Sequence, residues 1–181
     1  MLAALLHAAA LGHLAMPDVL QWVVNPEKAK VELTVLLKQS PAPAMLDDVA
    51  QFIGTNDKTR TSITSTIMPT LQWMSSPTAA IAGSRAGGAL LDVGRLLREK
   101  ATVYVIGREE AATAPLVAAF TGYLARDARR LAADSRSGRL DPPLGLMLDE
   151  AANICPVPLA SWTSDFGGSG ITIVAAFQSR A

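Results

Sequence analysis

Two adjacent acids near the end of the chain, Asp149 and Glu150, are the residues best suited to chemistry. They follow the apolar run Leu144-Gly-Leu-Met-Leu148, which predicts a strand buried on both faces, as in a parallel sheet. Open α/β sheets bind ligands at the carboxyl ends of their strands. In nucleotide hydrolysis an acid at this position helps to hold Mg²⁺, and a following glutamate can orient and polarise the attacking water. The stretch thus has the form of a Walker B element; the alternative is a core strand with two solvated acids at its tip.

The composition allows a well-packed core and argues against a general affinity for nucleic acid. Half of the 181 residues are hydrophobic, and the 16 Lys and Arg residues balance 16 Asp and Glu residues. Any contact with DNA must therefore be local. The single cysteine, Cys155, excludes an intrachain disulfide and a cysteine zinc cluster, and we interpret it as a small apolar core residue.

The first half of the sequence predicts helices. The run Met1–Ala15 is apolar, is too short to span a bilayer before Pro17, and lacks the basic residue that starts a signal peptide, so it predicts a buried helix. His7 and His13 are six residues apart, which does not place them on one helical face for metal binding. Three apolar stripes at helical spacing follow: Val31, Val35 and Leu36; Leu46, Val49, Phe52 and Ile53; and Ile63, Ile67, Leu71 and Met74.

A pair of basic residues lies at the start of the last of these helices. Lys58 and Arg60 stand beside many hydroxyl side chains, an arrangement that could contact nucleic acid or phosphate. A solvated helix end is the alternative, and we expect it here because short basic clusters are common on protein surfaces.

The second half predicts a parallel α/β sheet, and the glycine-rich stretch 83–88 predicts the boundary before it. Strands are predicted over 102–106, 144–149 and 171–177, all in one sheet, with a long helix over 113–134 and a shorter one over 158–166. The glycines of 167–170 do not form a phosphate loop, because they precede a strand and lack the Gly-Lys-Ser/Thr ending. The long helix is expected to bury the face formed by Leu116, Phe120, Leu124 and Leu131.

The end of the chain carries a series of motifs in an order and spacing that one family shares. They are Leu146-Met-Leu-Asp149-Glu150-Ala-Ala-Asn153-Ile, Pro156, Ser164-Asp165, Gly167-Gly-Ser-Gly170-Ile and Phe177-Gln178-Ser179-Arg180-Ala181. In this form the chain closely resembles the TraG/TraD-type coupling proteins of conjugative type IV secretion systems. The resemblance is strongest over residues 144–181 and extends, through Arg60–Met74 and Leu91–Gly107, over nearly the whole chain.

The resemblance implies both a fold and an active site. Residues 1–86 would form an all-α helical domain, and residues 87–181 the Walker B half of a RecA-like P-loop NTPase domain, an α/β fold with a parallel sheet. Asp149 would hold Mg²⁺ through water, Glu150 would activate the attacking water, and Gln178 would sense the γ-phosphate of ATP. Asn153 and Arg180 would support this site or that of a neighbouring subunit.

The resemblance also implies a motor that uses ATP and Mg²⁺ to recruit and pump DNA–protein substrates. Its expected partners are DNA, a relaxase or other secreted protein, and components of the type IV secretion channel. The full-length protein is expected to be a homo-hexamer at the cytoplasmic face of the bacterial inner membrane, whereas this chain by itself is expected to be soluble.

The chain departs from the family in two respects. Family members carry an N-terminal membrane anchor and an upstream Gly-Lys-Ser/Thr loop, and neither occurs in these 181 residues. We therefore interpret the sequence as an internal fragment, expected to be inactive alone although the full-length family hydrolyses ATP. Two alternatives stay open: a non-hydrolysing module that binds DNA or relaxase, and a septal-type DNA-translocating ATPase.

Overall fold

The computed structural model of the chain describes residues 1–82, 84, 91–107 and 112–178. The glycines of the predicted boundary at 83–88 lie outside the described residues. The chain divides into two compact units, Met1–Gly88 and Ala89–Ala181, each with its own apolar core, while the predicted domain roles of 1–86 and 87–181 stay predictions. The described residues are mostly helical, and none of their helices is long and apolar enough to cross a membrane.

Six helices form the described part of the first unit, and five of them contribute to its core. They are α1 (Leu2–Leu11), α2 (Met16–Val24), α3 (Pro26–Leu37), α4 (Ala44–Gly54), α5 (Asp57–Leu71) and α6 (Pro77–Ala82), with a 3-10 helix at Gln72–Ser75. Leu5 of α1 is fully buried, as expected of the apolar N-terminal run. Phe52 of α4 and Leu71 of α5 lie in the same core, so their predicted stripes do face inward.

Two of the three stripe residues predicted on α3, Val31 and Val35, do not face the core, whereas the third, Leu36, packs against it. Val31 and Val35 are 76% and 57% exposed, whereas Leu33 and Leu37 are almost fully buried. The helix packs against α1 and α4, and it can approach them closely because Ala29, on the same face as Leu33, has a side chain of one methyl group. Both faces of α3 carry apolar residues, so hydrophobic spacing alone does not distinguish them.

Arg60 ties three helices of the first unit together. Its guanidinium forms ion pairs with Glu27 at 2.6 Å and with Asp57, and it donates a hydrogen bond to the carbonyl oxygen of Ile53 at 2.8 Å. The side chain is only 19% exposed. Arg60 is therefore a structural cation, neither a phosphate contact nor a solvated residue, while Lys58 is exposed to solvent.

The second unit contains a small parallel sheet and four described helices. Its elements are α7 (Val93–Arg98), α8 (Ala114–Asp134), β1 (Leu144–Leu148), α9 (Ala151–Ile154), α10 (Leu159–Asp165), a 3-10 helix at Gly167–Ser169 and β2 (Ile171–Ala175). β1 and β2 pair in parallel, with Leu144 opposite Ile171 and Leu148 opposite Ala175. The strands predicted over 144–149 and 171–177 are thus confirmed, each slightly shorter than expected.

The predicted strand over 102–106 is not part of this sheet, which has two strands within the described residues. Its consecutive side chains are exposed, from 44% at Val103 to 93% at Ile106. A strand needs a neighbour that exchanges backbone hydrogen bonds, and β-branched residues favour a strand without supplying that neighbour. The parallel α/β assignment is therefore confirmed for one strand pair, and the RecA-like fold stays a prediction.

One face of the sheet packs into the core and the other is open to solvent. Leu146 and Leu148 are buried, whereas Met147 is 71% exposed and Val174, its partner on β2, is 53% exposed. The prediction of a strand buried on both faces is therefore wrong. Successive side chains of β1 point to opposite faces of the sheet. Those on one face pack into the core, and no described element covers the other face.

Helix α8 reaches the core with small side chains. It packs against α7, α9 and β2, and the predicted face of larger residues is only partly buried. Small residues let a helix approach its neighbours closely, so the larger ones flank the contact instead of filling it. The buried residues of α8 are Val117, Thr121, Ala125, Ala128 and Ala132, in place of the expected Leu116, Phe120, Leu124 and Leu131.

The glycines of 167–170 form a tight turn at the amino ends of the strands. Leu140 N–H donates to the carbonyl oxygen of Ser169 at 2.9 Å, and Leu144 N–H donates to that of Gly170 at 3.0 Å. Gly170 has φ +78°, and a Cβ there would lie 3.0 Å from the carbonyl oxygen of Leu140. The turn therefore requires glycine to hold the strands in register, and it lies at the opposite edge from Asp149.

Gly170→Ala is expected to lower the free energy of unfolding of the chain by about 1–3 kcal/mol, since the new Cβ adds backbone strain and a steric clash. Gly168→Ala is the matched control, because a Cβ at Gly168 meets no atom within 4 Å. Urea denaturation followed by circular dichroism measures both variants. Equal stability of the two would contradict the close packing of this turn.

Candidate functional site

The two strands end side by side, and the predicted site residues follow them. Beyond the last pair, Ala176 N–H donates to the carbonyl oxygen of Leu148 at 2.9 Å, and Ala151 N–H donates to that of Ala176 at 3.2 Å. These two bonds hold the acid-bearing turn against the residues that follow β2. Asp149 and Glu150 therefore lie at the carboxyl edge, where open parallel sheets bind ligands.

Glu150 has a strained backbone. Its φ and ψ are 49° and 44°, in the left-handed region, which costs a residue with a side chain about 1 kcal/mol. Local hydrogen bonds fix this conformation: Glu150 N–H donates to Asp149 Oδ1 at 3.1 Å, and the Glu150 carbonyl oxygen accepts from Asn153 N–H and Ile154 N–H, each at 3.0 Å. Strain of this kind concentrates at functional sites.

The Glu150 side chain has an unused hydrogen-bond acceptor. Its Oε1 atom is buried and makes no hydrogen bond to any described residue. Buried polar atoms are nearly always hydrogen-bonded in proteins, so an unsatisfied acceptor marks Glu150 as a candidate functional residue. The side chain of Asp149 is exposed. The two neighbouring carboxylates therefore have different surroundings, one in solvent and one half-buried.

The other predicted site residues differ in how much the structure says about them. Gln178 follows β2 by three residues and is exposed, and Asn153 is exposed on α9. Arg180 lies outside the described residues. The strand pairing thus places at one edge of the sheet the segments that contain Asp149, Glu150, Asn153 and Gln178. Their catalytic roles stay predictions.

The two carboxylates suit a magnesium site in which waters and phosphate oxygens would supply the other ligands. Mg²⁺ is commonly held by one or two carboxylates, waters and substrate phosphates, without a full protein cage. In the part of the chain that the structure describes, no group of three or more His, Cys, Asp and Glu side chains could hold a metal. The exposed Asp149 carboxylate and the free Oε1 atom of Glu150 match the smaller ligand set.

The remaining candidates from the sequence make contacts within one unit or the other. Cys155 is 4% exposed and its thiol donates to Thr121 Oγ1 at 3.3 Å, in agreement with its interpretation as a core residue. In the first unit, His7 Nε2 is hydrogen-bonded to Ser40 Oγ at 2.9 Å. Sequence reasoning missed the main chain of Ala176, which joins the two strand ends, because backbone donors and acceptors leave no side-chain pattern.

Comparison with known families adds independent evidence. A family model described as the TraM recognition site of TraD and TraG matches residues 143–181, which include both strands and every predicted site residue. Over these residues the chain is of the TraG/TraD type. The resemblance drawn from the motifs is confirmed over residues 143–181, and this segment indicates a role in conjugative transfer. The extension of the resemblance through Arg60–Met74 and Leu91–Gly107 stays a prediction. No curated protein and no solved structure matches the chain.

Glu150→Gln in the TraG/TraD-type segment is expected to stabilise the chain by about 1 kcal/mol at neutral pH, since a neutral amide is less costly than an unpaired, partly buried carboxylate oxygen. Glu99→Gln is the control: Glu99 pairs with Arg95 on the surface, so its replacement should change stability by less than about 0.5 kcal/mol. Thermal denaturation measures both variants. A marked loss of stability in Glu150→Gln would show that the carboxylate has a stabilising partner.

Proposed function

We propose that this chain supplies the hydrolytic edge of an ATP-driven coupling protein that moves DNA–protein substrates in conjugation. The observation that carries the proposal is the buried, unpartnered Oε1 atom of Glu150 beside the exposed Asp149 carboxylate. Both follow β1 at the carboxyl edge of the parallel strand pair, the edge at which open α/β sheets bind ligands. The TraG/TraD-type match over 143–181 supports the same reading.

The surroundings of the two acids suggest a division of roles. Asp149 is the proposed ligand of Mg²⁺, since its carboxylate is open to solvent and to an incoming phosphate. Bound Mg²⁺ would offset negative charge on the phosphates of ATP. Glu150 is the proposed base, because its free acceptor can take a hydrogen bond from water and draw away the proton as water attacks. Gln178 would contact the γ-phosphate through its amide, with Asn153 and Arg180 in support.

The proposal requires a phosphate loop that these residues do not supply. ATP phosphates are held chiefly by backbone N–H groups of a Gly-rich loop and by its lysine. The 181 residues contain no Gly-x-x-x-x-Gly-Lys-Ser/Thr motif. A hexameric assembly, contacts with a relaxase and with secretion-channel components, and a position at the cytoplasmic face of the inner membrane belong to the same proposal, and the family resemblance supports them.

A second candidate function is recognition of a protein partner without hydrolysis. The description of the matching family model supports it, because it names a TraM recognition site over 143–181. This segment contains surface that is separate in sequence from the acids, including the short helix α10. Recognition and hydrolysis can coexist in one protein, so each function must be measured separately.

Conjugative transfer by donor cells that carry the complete coupling protein tests the proposed hydrolysis. Glu150→Gln and Asp149→Asn should each reduce transfer frequency by at least about 100-fold, the loss typical of removing a general base or a metal ligand. Glu99→Gln, which changes an exposed surface acid, should transfer like the parent. Near-normal transfer by Glu150→Gln would remove this residue from the mechanism.

Binding of the purified protein partner should be measured on the same variants. Retained partner binding together with lost transfer supports hydrolysis at the carboxylates. If Glu150→Gln lost partner binding and transfer in parallel, recognition alone would explain the segment and the hydrolytic proposal would fail.

A further inference from the structure

A groove of about 490 Å³ crosses the second unit between α8 and the segment 156–166, which contains α10. It is distinct from the strand edge that carries the acids, and none of the acids at that edge lines it. One wall is a single face of α8 and the other holds an aromatic ring and an acid. The lining of the groove includes Ala118, Gly122, Arg126 and Arg129 on α8, with Trp162 and Asp165 opposite.

The apolar end of the groove has room for an additional side chain. Gly122 lies four residues after Ala118 on α8, and a Cβ added to Gly122 would meet no atom within 4 Å. Opposite, the ring of Trp162 lies 5.1 Å from that of the buried Phe166. Trp162 is half-buried and lines the same groove as Gly122, and tryptophans are common anchors in protein interfaces.

The charged end of the groove is positive. Arg126 is exposed and forms no ion pair with any described residue. Arg129 pairs with Asp165 at 3.5 Å, and both side chains are about half exposed, so the groove has two cations and one anion. Arg130, the next cation on α8, is engaged elsewhere by Asp127 and Asp134. The hydrogen bond to Asp127 also raises the pKa of Arg130 above its ordinary value.

We propose that this groove binds an acidic segment of a partner protein, with a carboxylate on Arg126 and an apolar side chain between Gly122 and Trp162. The free cation selects the charge, because an arginine can take both oxygens of a carboxylate. The volume of the groove suits the side chains of one peptide segment. This inference deepens the recognition function and rests on it, but it does not depend on hydrolysis.

Fluorescence anisotropy of labelled peptides with the full 181-residue chain tests the groove. Three synthetic peptides of about 12 residues share leucine and proline positions and carry glutamate, glutamine or lysine at the rest. The glutamate peptide should bind at least about tenfold more tightly than the glutamine peptide, and the lysine peptide should not bind. Equal binding of the glutamate and glutamine peptides, or no binding of either, would overturn the proposal.

Two variants locate the binding. Arg126→Gln removes the free cation, and Gly122→Leu fills the groove at a position where leucine is a better helix former than glycine. Each should weaken the glutamate peptide by at least about tenfold. Arg136→Gln, an exposed arginine on the loop after α8 that does not line the groove, should bind like the parent. Unchanged binding in both groove variants would contradict the assignment.

A single-stranded oligonucleotide of similar length tests the other class of anionic occupant. Tighter binding of the oligonucleotide than of the glutamate peptide, lost in Arg126→Gln, would overturn the protein-segment proposal in favour of nucleic acid. The peptide assay contains no ATP and does not involve the transfer of DNA. Its failure would therefore leave the carboxylate proposal intact, and failure of the transfer assay would leave the groove intact.

Discussion

The parallel pairing of β1 with β2 is the constraint on which the second unit depends. It places Leu148 opposite Ala175, and two further backbone hydrogen bonds through Ala176 prolong it past the strand ends. Ala151 donates to Ala176, and the chain turns from strand to helix over Asp149 and Glu150. The left-handed backbone of Glu150 is part of that turn. At the other end, Gly170 sets the same register by its close approach to Leu140.

Much of this unit could be predicted from the sequence, because its signals are local. An apolar run ending in Asp149 and Glu150 predicts a strand with acids at its carboxyl end, and the second apolar run predicts the parallel partner. The segment 102–106 has an equally strong strand composition, yet its side chains are exposed and it has no ladder. Composition measures how strongly a segment favours the strand conformation, whereas the presence of a neighbouring strand depends on the rest of the fold.

The parts that escaped prediction are those set by distant neighbours. Arg60 and Arg126 both lie on helices, but Arg60 forms an ion pair with Glu27 of α3, whereas Arg126 forms none with any described acid. Which face of an apolar helix turns inward is decided in the same way, as Val31 and Leu33 show. The unpartnered oxygen of Glu150 could not be predicted either, since a sequence shows which acids are present but not which acceptor atoms form hydrogen bonds.

The most direct measurement of the central claim is paramagnetic line broadening by Mn²⁺, a substitute for Mg²⁺, in the ¹H–¹⁵N spectrum of the labelled chain. Asp47 and Asp48, two exposed adjacent acids on α4, provide an internal comparison. Broadening should centre on the amides of 149–151 and 176–178, exceed that at 47–48, and disappear in Asp149→Asn. Equal broadening at both acid pairs, or broadening at 149–151 without 176–178, would contradict a metal-binding edge shared by the two strand ends.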